Sequence, residues 1–121
     1  MVKVLFDTNI LIDYLNGIPE ARSELALYQD KAISIVSWME IQAGTTAEDQ
    51  GAVDQFLRRF TVVPLDAPIS VEAVALRRTT RVKIPDAIIW ATANVSSRLL
   101  VTRNTKDFSA SLPGVRVPYI I

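Results

Sequence analysis

Four acidic side chains in this sequence could act together. They lie just after predicted strands or in the first turns of predicted helices, and they are Asp7, Glu40, Asp86 and Asp107. Carboxylates held close together repel one another, which raises their pKa values and destabilises the fold. Divalent cations relieve this repulsion, and Mg²⁺ or Mn²⁺ held by carboxylates and water is the usual partner of phosphate chemistry. The four residues therefore predict a metal-assisted hydrolytic site.

Helix capping is the simpler explanation for each acid taken alone, because Asp is a favoured N-cap and acids stabilise the first helical turn. Two contexts argue against it. Glu40 lies in the apolar segment WMEI, and Asp86 heads the apolar segment AIIWATA, so neither resembles a merely solvated charge. The remaining acids lie in polar contexts and are expected to be surface charges: Asp13, Glu20, Glu24, Asp30, Glu48, Asp49, Asp54, Asp66 and Glu72.

Composition narrows the possible chemistry. The 121 residues include no cysteine and no histidine. Disulfides, cysteine–zinc sites and catalysis by Ser-His-Asp or Cys-His arrangements are therefore excluded. Carboxylates, hydroxyls, amides, Lys and Arg remain, and oxygen ligands suit hard cations.

Charge and hydropathy indicate an ordinary globular chain. The formal net charge is zero and half the residues are hydrophobic. No apolar run approaches the roughly 20 residues that span a bilayer, and no signal segment opens the chain. We expect one domain over residues 1–121 in the cytoplasm, without a membrane partner.

Five short strands alternate with helical patterns along the chain. The strands are predicted at residues 2–6, 32–37, 61–65, 99–102 and 115–121, and a buried helix at 86–97. This alternation predicts an α/β fold: a three-layer sandwich with a mostly parallel central sheet and helices on both faces. Such sheets bind ligands at the carboxyl ends of their strands, where the four acids would meet.

The chain resembles PIN-domain ribonucleases, in particular the VapC-type toxins of toxin–antitoxin pairs. The matching segments are LFDTNILIDYL, ISIVSWMEIQAG, IPDAIIWATA and LVTRNTKDF, which span residues 4–108 in order. The resemblance implies a PIN-like sandwich and an Mg²⁺- or Mn²⁺-dependent endoribonuclease that hydrolyses RNA through a metal-activated water. It also implies a homodimer and a cognate antitoxin that covers the cleft.

The resemblance also assigns roles to individual residues. The family's acidic constellation falls on Asp7, Glu40, Asp86 and Asp107, as catalytic residues and metal ligands. Thr8 resembles the hydroxyl that orients the first aspartate, and Asn104 lies in the TRN segment, where it is expected to contact metal-bound water.

Basic residues border the expected cleft on two sides. Arg81 and Lys83 precede Asp86, and Arg103 and Lys106 flank Asn104. They are candidates for RNA phosphate contact, with a solvated helix face as the alternative.

Two other functions are compatible with parts of the pattern. An aspartyl-phosphate phosphatase could use Asp7, but that chemistry's motif needs a second aspartate at position 9, which is asparagine here. A catalytically silent PIN-like scaffold that binds RNA or protein would keep the fold without turnover.

Overall fold

The central sheet has five strands in the order β3-β2-β1-β4-β5, and every neighbouring pair is parallel. The computed structural model describes residues 1–121. The strands are β1 (Lys3–Phe6), β2 (Asp30–Ser34), β3 (Thr61–Val63), β4 (Leu99–Val101) and β5 (Val115–Arg116). The helices are α1 (Thr8–Leu15), α2 (Pro19–Ala26), α3 (Ile35–Ala43), α4 (Gln50–Leu57), α5 (Ala67–Thr80) and α6 (Ile84–Val95). The expected parallel α/β fold is confirmed.

Side chains of β1 alternate between the two faces of the sheet. Leu5 belongs to an apolar cluster built largely with α5 and α6, whereas Val4 and Phe6 belong to a second cluster built with α1, α2 and α4. All three side chains are fully buried. Two cores, one on each face of the sheet, produce the predicted three layers.

Strand β1 lies at the point where the order of the strands in the sheet reverses. The chain proceeds from β1 through β2 to β3 on one side, and then places β4 and β5 on the other. The backbone N–H of Asp7 continues the ladder by donating to the carbonyl of Val101 at 2.9 Å. The carboxyl ends of β1 and β4 therefore flank the crevice in which open α/β sheets place their ligands.

Each predicted strand extends beyond the observed one, by a single residue for β1 and β4 and by more for β2, β3 and β5, and β2 also begins two residues earlier than expected, at Asp30. The second strand ends at Ser34 rather than residue 37, because the Ser34 hydroxyl accepts from the N–H of Val36 at 3.0 Å and starts α3. The third strand ends at Val63, where Pro64 removes a donor, and it lies at the sheet edge as expected. The last strand covers only Val115–Arg116 instead of residues 115–121.

Helix α6 begins earlier than predicted, at Ile84, with Pro85 in its first turn. Asp86 is consequently the third residue of the helix instead of the first, but it remains in the first turn. None of the helices combines the length and the apolar character needed to cross a membrane.

Two acids expected at the surface are buried. Asp13 and Glu24 are each 4% exposed, and each is paired with an arginine from the C-terminal part of the chain. Their partners, Arg103 and Arg116, lie 90 and 92 residues away in sequence, so the local pattern gave no sign of the pairing.

Candidate active site

Asp7 directly follows β1 and caps α1, and its carboxylate is almost wholly buried. Its Oδ1 accepts the backbone N–H of Thr8 at 2.7 Å. Its Oδ2 accepts the hydroxyl of Thr102 at 2.8 Å and the amide of Asn9 at 3.3 Å. The capping explanation is therefore correct for one oxygen, while the other faces the end of β4.

Burial raises the pKa of Asp7 from 3.8 to about 6. The hydrogen bonds from Thr102 and Thr8 oppose this rise, and the nearby charges of Asp86 and Glu40 add to it. Desolvation and repulsion by two other carboxylates destabilise the ionised form of Asp7, and a bound cation would stabilise it.

Glu40 is exposed and lies in the second turn of α3, not in the first turn as expected, because α3 begins at Ile35. It is joined to the start of α1 through Thr8. The Thr8 hydroxyl donates to Glu40 Oε1 at 2.7 Å and is also hydrogen-bonded to the Ser37 hydroxyl at 2.8 Å. Ser37 and Glu40 lie on α3 one turn apart, so both point to the same side of that helix. The Thr8 hydroxyl, which the resemblance assigned to the first aspartate, therefore contacts Glu40 instead. The hydroxyl that contacts Asp7 belongs to Thr102.

Asp86 is half-buried in the first turn of α6. Its pKa is raised, first by burial and then by the charges of Asp107 and Glu40, while Lys83 lowers it. Asp86 thus lies within electrostatic range of two acids that come from different parts of the chain.

Asp107 is exposed and is held by Asn104. The Asn104 amide donates to Asp107 Oδ2 at 3.0 Å, and Asn104 Oδ1 accepts the backbone N–H of Asp107 at 3.2 Å. The backbone N–H of Asn104 donates in turn to the Thr102 hydroxyl at 3.0 Å. Asn104 therefore positions the fourth acid and connects it to the residue beside Asp7.

The four predicted acids converge as an electrostatic group, without close packing. The charges of Asp86 and Glu40 raise the pKa of Asp7, and the charges of Asp107 and Glu40 raise the pKa of Asp86. No three acids are close enough to hold one ion between them. This donor set still fits Mg²⁺ or Mn²⁺, because Mg²⁺ commonly binds one or two carboxylates and keeps several waters.

The candidate RNA-binding residues differ in their surroundings. Lys83 lies close enough to Asp86 to lower its pKa. Arg81 and Lys106 are exposed. Arg103, by contrast, donates to the buried carboxylate of Asp13 through Nε and Nη2 at 2.5 and 3.0 Å.

Thr102 is the site residue that the sequence analysis missed. It is fully buried, and it contacts Asp7, Asn9 and Asn104. A signal was present, since Thr102 is a hydroxyl at the carboxyl end of a predicted strand. Choosing it required knowing that β4 is the neighbour of β1.

The comparisons with known proteins agree with this architecture. The PIN domain family model matches residues 4–110. The comparison with curated protein sequences found no match.

Several solved structures are similar over nearly the whole chain. A toxin–antitoxin complex from Klebsiella pneumoniae contains a chain with 42% identity and a TM-score of 0.93, covering 98% of this chain and 100% of that one. VapBC2 from Rickettsia felis, bound to a promoter DNA fragment, has 25% identity and a TM-score of 0.81, covering 96% of both chains. FitAcB from Neisseria gonorrhoeae has 21% identity and a TM-score of 0.80, covering 95% of this chain and 97% of that one, a likeness of fold alone. With the family model matching residues 4–110, this chain belongs to the PIN domain family.

Proposed function

We propose that this protein is a metal-dependent endoribonuclease and the toxin of a type II toxin–antitoxin pair. One observation carries the proposal. Asp7 is buried with a pKa raised to about 6, at the sheet's switch point and in the field of Asp86 and Glu40. Such unrelieved negative charge is typical of a site that holds a cation.

The acids Asp7, Glu40, Asp86 and Asp107 would hold Mg²⁺ or Mn²⁺. When bound, the cation would supply an activated water and charge neutralisation on the phosphate oxygens. The protein's contribution is positional: Thr102 fixes Asp7, Thr8 fixes Glu40 and Asn104 fixes Asp107. The exposed cations Lys83, Arg81 and Lys106 would attract RNA phosphates to this rim.

An antitoxin partner is supported by the solved relatives, because the chain with 42% identity comes from a toxin–antitoxin complex. A groove of about 460 Å³ lies beside Glu40, between α1, α3 and α4. Its apolar lining includes Ile12, Leu15, Ile41 and Val53. An apolar antitoxin segment in this groove would cover the edge of the acidic site.

A homodimer is part of the same proposal. Val71 and Val74 lie one turn apart on α5 and are 71% and 43% exposed. Apolar side chains on one side of a helix are candidates for burial against a second copy. Light scattering on the purified chain measures the oligomeric state directly.

Thermal unfolding with EDTA and then with increasing Mn²⁺ tests the metal site. A ligand that binds only the folded state raises the midpoint in a concentration-dependent way. We expect the rise in wild type, its loss in Asp7→Asn and Asp86→Asn, and its retention in the control Glu48→Gln, which alters an exposed acid in the turn before α4. RNA cleavage that stops with EDTA and with Asp7→Asn would then identify the nuclease.

A catalytically silent RNA- or protein-binding module is the second candidate. It is favoured by one observation, that no three acids lie close enough to hold an ion between them. A binding module would be indifferent to EDTA and would retain its ligand in Asp7→Asn. A wild-type midpoint that stays constant up to millimolar Mn²⁺, together with intact RNA, would favour it over the nuclease.

A further inference from the structure

Two buried carboxylates outside the acidic site each bind an arginine from the C-terminal part of the chain. Asp13 on α1 accepts from Arg103 at 2.5 and 3.0 Å. Glu24 on α2 accepts from Arg116 at 2.6 and 2.9 Å. Both carboxylates are 4% exposed, and both arginines use Nε and one terminal nitrogen. The chain therefore contains two ion pairs of nearly the same construction.

A tyrosine hydroxyl completes each pair. Tyr119 donates to Asp13 at 2.9 Å, and Tyr28 donates to Glu24 at 3.1 Å. Each buried carboxylate is thus satisfied by two arginine nitrogens and one hydroxyl, so neither carries an unmet charge that would call for another ligand.

The Asp13 pair differs because its arginine lies within the active-site loop. Arg103 stands between Thr102, which donates to Asp7, and Asn104, which donates to Asp107. The backbone N–H of Arg103 also donates to Asn9 Oδ1 at 3.3 Å. No side-chain contact of the Glu24 pair reaches any of the four acids.

We propose that Asp13 is a positioning residue of the acidic site. By binding the Arg103 guanidinium at two points, it fixes residues 102–104 and so holds Thr102 against Asp7 and Asn104 against Asp107. Arg103 then belongs to the scaffold of the site and is not free to contact RNA phosphates. The effect on turnover rests on the proposed nuclease function, whereas the effect on the loop does not.

The geometry of arginine explains why this pair can position a loop. A guanidinium is planar and offers parallel donors that match a carboxylate, so two contacts define its orientation as well as its distance. A lysine ammonium keeps the charge but cannot make both contacts. Groups that orient metal ligands typically matter about 10–100-fold for metal affinity or activity.

The test compares Arg103→Lys with Arg116→Lys. We expect Arg103→Lys to lower Mn²⁺ affinity and kcat by about tenfold or more while KM for RNA stays near wild type. Arg116→Lys should leave Mn²⁺ affinity, kcat and KM near wild type. Arg116 contacts Thr102 only through its main-chain carbonyl, which accepts the Thr102 N–H and is unchanged by the substitution. A rise in KM alone for Arg103→Lys would instead mean RNA phosphate contact and would overturn the proposal, as would equal losses in both variants.

Hydrogen exchange in metal-free protein gives a readout that needs neither metal nor turnover. Arg103→Lys should speed exchange of the Asn104 and Phe108 amides, which are bonded within the loop at 3.0 Å each. Unchanged protection of these two amides would refute the positioning role of Asp13. A wild-type protein that neither binds Mn²⁺ nor cleaves RNA would refute the nuclease, and the exchange result would still decide the positioning role. Asp13→Asn against Glu24→Gln repeats the comparison from the carboxylate side.

Discussion

The Thr102 hydroxyl lies 2.8 Å from Oδ2 of Asp7 and donates to it, across 95 residues of sequence. Both residues stand at the carboxyl ends of adjacent parallel strands, β4 and β1. The hydroxyl also accepts from the Asn104 backbone at 3.0 Å, so one side chain connects the first acid with the segment that carries the fourth. Thr102 is therefore the junction between the two halves of the acidic group.

Thr102→Val should weaken metal binding while the fold survives. The change keeps the shape of the side chain but removes the donor that lowers the pKa of Asp7, so the carboxylate is harder to ionise. We expect Mn²⁺ affinity, measured by calorimetry, to fall about tenfold or more. Thr92→Val is the matched control, because Thr92 is equally buried but donates only to Ile88 within α6. Equal affinities in both variants would exclude this role for Thr102.

Asp7→Asn should make the metal-free protein less sensitive to pH. Burial raises the pKa of Asp7 to about 6, above its value of 3.8, so the folded state binds this proton more tightly than the unfolded chain. The free energy of unfolding is therefore highest below pH 3.8 for this group, and the contribution is lost as pH rises through about 6. At about 1.4 kcal/mol per pKa unit, the loss is about 3 kcal/mol.

Urea unfolding in EDTA, on either side of that pH window, measures the effect. The difference in unfolding free energy between Asp7→Asn and wild type should shift in favour of the variant as pH rises. Glu48→Gln, at an exposed acid, provides the control and should follow wild type. A constant difference across the window would mean that Asp7 ionises normally.

Lys83→Gln should weaken RNA binding without abolishing the chemistry. Lys83 is exposed at the N-cap of α6 and lies near Asp86, so a phosphate approaching the acids would pass it. We expect a higher KM and a slope of log affinity against log salt that is less steep by about 0.7, the value for one contact to a single strand. Lys3→Gln, which changes an exposed lysine at the amino end of β1, should leave both unchanged. If the two variants behave alike, Lys83 does not contact RNA.

Phe108→Ala should destabilise the protein and disturb the site next to it. Phe108 is fully buried, with its ring edge-on to Trp90 at 5.2 Å between centroids, and it directly follows Asp107. Removing a buried phenylalanine side chain costs about 3–5 kcal/mol. Phe108→Leu, which refills most of the volume, should cost far less. Urea denaturation measures both, and a loss below about 1 kcal/mol for alanine would mean that the site collapses around the cavity.

Sequence alone was sufficient for the architecture and for the group of four acids. Short β-branched runs alternating with helical patterns allow few arrangements other than a parallel α/β sheet. In such a sheet, acids after strands and at helix starts must gather on one rim. For that reason Asp7, Glu40, Asp86 and Asp107 could be chosen together, whereas Asn104 was assigned through the resemblance of its TRN segment.

Tertiary structure alone decided which side chains hold those acids and which charges are buried. Asp13 and Glu24 look like surface acids in sequence because local polarity does not reveal a partner 90 or more residues away. Thr102 reaches Asp7 only because β4 lies beside β1, a choice of neighbour that no local pattern encodes. Hydrophobic periodicity determines which face of an element is buried, whereas hydrogen bonds and ion pairs depend on positions within an ångström, which only the packed chain supplies.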